Sequence, residues 1–64
     1  MIRSEFTSLI QRCMERKLIV AEQKARYALD LWSYARNDDD FARARKQLDE
    51  ARKLYYENLE QNES

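Results

Sequence analysis

Neither glycine nor proline occurs anywhere in the 64 residues. That double absence limits the fold more than any motif does. Tight turns and bulges draw on glycine for positive φ and on proline for a preset φ. Helix interiors are where both are excluded. What remains is rich in Ala, Leu, Arg, Lys, Glu and Gln, which lose least on entering a helix. The sequence predicts an all-α fold with few connections.

A chain this short buries only about 60% of the surface its unfolded form exposes. Small domains compensate with disulfides, a metal or association. Cys13 is the only cysteine and histidine is absent. An intrachain disulfide is excluded, and a lone thiolate builds no zinc site. Self-association or a protein partner remains, with no metal and no cofactor expected.

The single evident break is Asn37-Asp38-Asp39-Asp40, whose short polar side chains cap helices and form turns. Before it, Ile10, Met14, Leu18, Ala21, Ala25, Ala28, Trp32 and Ala35 recur three or four apart, one continuous helical stripe. A neighbouring stripe carries Phe6, Leu9, Cys13, Val20, Tyr27, Leu31 and Tyr34. After the break, Phe41, Ala44, Leu48, Ala51 and Tyr55 repeat the pattern.

The expectation is one domain over residues 1–64, a two-helix antiparallel hairpin with a long first helix. Helix 1 runs from about 4 to 36, the turn from about 37 to 40, and helix 2 from about 39 to 61. Whether helix 1 is continuous or broken near Glu22–Arg26, which makes three helices, stays open. At 1.5 Å per residue the two helices span about 50 Å and about 35 Å. Pairing outward from the turn, helix 2 runs out opposite about residue 17. Phe6, Leu9, Ile10, Cys13 and Met14 are then left as an overhang without an intrachain neighbour. Alanines across the seam bury little area. The expected assembly is therefore a dimeric helical bundle. Its partner or dimer interface contains Phe6, Leu9, Ile10, Cys13, Met14 and Leu18, with Trp32 and Tyr34 as aromatic anchors near the turn.

Charge narrows the function classes. Twelve basic and twelve acidic residues cancel, with net +3 over residues 1–37 and net −3 over 38–64. That balance disfavours a dedicated phosphate binder, which is basic on one face. The opposite halves favour folding back. Arg45/Asp49, Lys46/Glu50 and Asp49/Lys53 are placed to pair at i+4. Glu57, Glu60 and Glu63 are expected beside Arg16 and Lys17. The longest apolar run, Leu18-Ile19-Val20-Ala21, is far short of the ~20 residues a bilayer needs. The N-terminus has no secretory signal pattern, so a cytoplasmic location is expected.

No catalytic constellation is visible. Cys13 has no histidine to activate it and sits on an apolar stripe, as a packed thiol does. The Asp38–Asp40 run lacks the alternating ligands, turn glycine and distal glutamate of a calcium loop. Carboxylates otherwise lie on charged faces, without the apolar surroundings that general acid–base chemistry requires. The chain is expected not to be an enzyme.

The segment YALDLWSYARNDDDFARARKQL resembles the ANR family, small bacterial negative regulators of AraC-type transcription activators. The likeness rests on an Ala-rich approach to Leu-Trp, an alanine three residues after the Trp, and an aromatic-Ala-x-x-Arg element. Here these are Ala28, Leu31, Trp32 and Ala35, then Phe41, Ala42 and Arg45. The usual glycine before Leu-Trp is replaced by Lys24-Ala25-Arg26, and Leu48 stands where a cysteine closes the second element. The resemblance implies a non-enzymatic anti-activator that binds an AraC-type regulator and blocks its dimerisation. Two alternatives stay open. One is a small helical chaperone or co-chaperone of a secretion or other assembly. The other is a helical-hairpin dimer binding RNA or DNA.

Overall fold

The computed structural model describes the backbone of residues 2–63 and the side chains of residues 3–59. It contains three helices, α1 (Ile2–Glu15), α2 (Ile19–Tyr34) and α3 (Asp38–Glu63), and no strand among the described residues. The fold is all-α, but the two-helix hairpin is corrected. Helix 1 does not run from 4 to 36. It ends at Glu15, and the break falls at residues 16–18 rather than near Glu22–Arg26.

The break is a C-terminal cap built without glycine. Leu18 N–H donates to the Cys13 carbonyl at 2.9 Å, and Lys17 N–H donates to the Met14 carbonyl at 3.2 Å. This is the Schellman pattern, which satisfies the last carbonyls of a helix. It requires a left-handed residue, and Lys17 takes that place with φ 59°. A side chain there costs about 1 kcal/mol that glycine does not. Leu18 then turns inward and is buried beside Cys13, the apolar contact that accompanies such a cap.

The gain exceeds that cost. Reversal at Lys17 lays α1 back along α2, so Phe6, Leu9 and Cys13 join the same core as Ala21, Ala25, Ala28, Ala44, Leu48, Ala51 and Tyr55. Burying a Phe and a Leu contributes about 1.5–3 kcal/mol each. The overhang expected of these residues does not exist, because their neighbours are supplied by the same chain.

The second connection follows the sequence more closely. Ala35 leaves α2 in an extended conformation, with φ −65° and ψ 135°. Asn37 caps α3, its Oδ1 accepting from Asp40 N–H at 2.9 Å. Asp40 Oδ2 in turn accepts from Arg36 N–H at 3.2 Å. Two otherwise orphaned donors are thus satisfied, in the manner of a capping box. Asp38, Asp39 and Asp40 occupy the first turn of α3, where negative charge is favoured.

The helix α2 is the central element. Its alanines sit against Ala44, Leu48 and Ala51 of α3, and its other flank receives α1. Ion pairs tie the layers at the surface. Lys24 approaches Glu50 at 3.9 Å across α2 and α3, and Arg45 approaches Glu5 at 3.5 Å across α3 and α1. Exposed pairs of this kind contribute at most about 1 kcal/mol each. Of the i+4 pairs expected along α3, Arg45–Asp49 is formed at 3.8 Å. Glu50 instead reaches Lys24, and Asp49 is shared with Arg52 at 4.0 Å. The expected positions of Glu60 and Glu63 lie outside the residues whose side chains are described.

Candidate interaction surface

The eight residues assigned to an interface separate into three environments. Phe6 and Cys13 are fully buried, and Leu9 and Leu18 nearly so, all inside the chain's own core. Ile10 and Trp32 are half-buried against that core. Only Met14 and Tyr34 are exposed, to 51% and 80%. Four of the eight are thus unavailable to a partner. The apolar stripe that should have carried the contact is interior, for the reason given by the Lys17 reversal.

Phe6 and Trp32 are nevertheless brought together. Their ring centroids lie 5.9 Å apart, and Trp32 is 6.3 Å from Phe41 in an edge-on arrangement. Both spacings fall in the range where aromatic pairs attract. The three elements meet here because α1 starts, α2 ends and α3 begins at this end of the molecule. The result is a cleft of about 580 Å³ lined by Phe6, Trp32, Asp38, Phe41, Ala42 and Arg45. Its floor is aromatic, while Asp38 and Arg45 put opposite charges on its rim. Phe41 is 42% exposed there, a large apolar surface facing solvent.

A second exposed surface lies along α2. Val20 is 62% and Tyr27 is 53% exposed, in line with Tyr34. These residues continue the stripe of Phe6, Leu9 and Cys13 at helical spacing. The turn at 16–18 divides that stripe, so its first half faces the core and its second half faces water. Val20, Tyr27 and Phe41 were missed as surface residues. The paired stripes were visible in the sequence, but which stripe is covered depends on the phase change at the turn.

Burial, and secondarily the Glu22 carboxylate, pushes the Cys13 thiol above its ordinary pKa, the reverse of what activates a nucleophile. The Asp38–Asp40 run is occupied with capping at Asp40. Among the described residues, no group of three or more His, Cys, Asp or Glu is placed to hold a metal ion. Among the described residues, no helix is long and apolar enough to cross a membrane.

No family model, curated protein or solved structure matches this chain.

Proposed function

We propose that the chain is a non-enzymatic, protein-binding regulator that takes an apolar side chain of a partner helix into the Phe6–Trp32–Phe41 cleft. The observation that carries this reading is the half-covered aromatic floor between charged rim residues. Buried aromatic contacts ringed by polar groups dominate the energetics of protein interfaces. Asp38 and Arg45 would fix the orientation of an incoming amphipathic helix, and the aromatic floor would supply the affinity.

The ANR resemblance bears on who that partner is. Trp32, Phe41, Ala42 and Arg45, four of the residues that carry it, line this one cleft. That convergence supports an AraC-type activator as the partner. The regulator would act by occupying surface that the activator needs for its own dimerisation. Binding alone performs the work, with no bond made or broken.

The test is transcription from a promoter under an AraC-type activator, with and without co-expression of the chain. The wild-type chain should lower output. Ala42→Arg fills the mouth of the cleft from an exposed position, and Phe41→Ser removes its exposed ring. Both variants should lose repression while circular dichroism still reports full helicity. Repression retained by both variants, or absent in the wild type, overturns the reading.

A further inference from the structure

The face of the α2–α3 pair that lies away from α1 has a symmetry of its own. On α2, Val20, Tyr27 and Tyr34 are spaced by seven residues, as are Arg43, Glu50 and Glu57 on α3. A seven-residue step drifts only about 20° around a helix, so each trio forms one line. The two lines lie on one side of the molecule. Leu31 and Tyr34 share a groove with Asp40 and Arg43, while Lys24 shares another with Glu50, Lys53, Leu54 and Glu57. The Lys24–Glu50 pair at 3.9 Å sets the middle of one line level with the middle of the other. The opposite flank of α3 is occupied by α1, through Glu5 on Arg45 and the Arg12–Tyr55 groove.

We propose that this face binds a second copy of the chain, about a two-fold axis running from Tyr27 to Glu50 and perpendicular to both helices. The operation reverses helix direction and exchanges the ends of each line. Tyr27 then meets its own copy, and Val20 meets Tyr34 of the second copy. Arg43 meets Glu57 of the second copy, twice. Both residues are exposed, and neither has an ion pair among the described residues. Glu50 approaches its own copy at the axis, where each is held by its own Lys24. The pattern is antiparallel and isologous, as closed dimers require, and the seven-residue repeat suits helices packed side by side.

The size of the face agrees with a second copy. α2 is 16 residues long, about 24 Å, and two helices side by side are roughly 20 Å wide. Two such faces bury on the order of 1,000 Å², the least a specific interface needs.

Sedimentation of the intact chain from about 10 µM to about 1 mM should show a concentration-dependent monomer–dimer equilibrium, as suits so small an interface. Arg43→Glu alone and Glu57→Arg alone should each weaken the dimer about tenfold or more, because two attractions become repulsions at once. The double variant should regain wild-type association. Mixing the two single variants should also restore it, as a heterodimer in which both contacts between positions 43 and 57 are complementary. Circular dichroism should be unchanged throughout, since both positions are exposed. A chain monomeric at the highest concentration, or charge reversals without effect, overturns the proposal. So does failure of both the double variant and the mixture to recover.

Discussion

Replacing Phe6 by Ala separates the observed fold from an overhanging first helix more sharply than any other change. The ring is fully buried, in contact distance of Trp32. Its removal uncovers about 200 Å² of apolar surface, which at ~25 cal/mol per Å² is about 5 kcal/mol. A realistic unfolded chain already hides part of that area, reducing the loss to about 3–4 kcal/mol. The figure agrees with the ~3–5 kcal/mol seen when a buried Phe is truncated. A domain of this length holds only about 3–10 kcal/mol in total, so one substitution removes a third or more of its stability. Urea unfolding followed by circular dichroism gives the direct measure. With a slope near 1 kcal/mol per molar for so small a chain, the midpoint should fall by about 3 M. Met14→Ala, about two turns nearer the break but half exposed, should cost about 0.5 kcal/mol or less. The reasoning is refuted if Phe6→Ala shifts the midpoint by under about 0.5 M while abolishing an oligomer. That is the signature of an interface residue, not of a core residue.

Two further outcomes follow from the break and from the thiol. Lys17→Gly should raise stability by about 0.5–1 kcal/mol, because the residue already sits at φ 59° where a side chain is strained; an unchanged or lowered melting temperature contradicts the cap assignment. Cys13 binds its proton more tightly when folded than when unfolded, since burial first and Glu22 second raise its pKa. Its contribution to stability is therefore complete below the unfolded thiol value near 8.5. It declines as pH rises through that value toward the folded one, by at most about 1.4 kcal/mol per unit. The stability difference between wild type and Cys13→Ala should narrow from pH 7 to pH 10, and a constant difference removes the argument.

The helical class was legible because the absence of glycine and proline leaves little else. The Asn37 turn was legible because Asn and Asp advertise capping in their side chains. The turn at Arg16–Leu18 was not. Its cap uses backbone groups of Cys13, Met14, Lys17 and Leu18, and a lysine where glycine is usual. The spacing from Met14 through Leu18 to Ala21 also keeps a helical rhythm across the break, so periodicity conceals it. The candidate site inherited that error. Trp32 and Tyr34 were singled out by residue type and closeness to the turn, neither of which depends on the length of the first helix. Phe6, Leu9 and Cys13 were misplaced because helix lengths were counted on a continuous first helix. Phe41 meets Trp32 across the α2–α3 turn, but the cleft it lines is completed by Phe6 only once α1 folds back.

The reversal at Lys17 has a consequence for how this sequence can drift over generations. Residues 6, 9 and 13 and residues 20, 27 and 34 look like one series, yet they answer to different constraints. The first three are held by the volume of a closed interior and tolerate only apolar replacements of similar size. The last three are held by whatever lies across the water-facing side of α2. They can change freely if nothing does, or in step with a companion if something does. A single inserted or deleted residue between 16 and 18 would turn α1 by about 100°. An insertion would offer Ile10 and Met14 to the interior in place of Leu9 and Cys13, and a deletion would offer Ser8 and Arg12. The length of that three-residue link is thus as constrained by the fold as any side chain in the core.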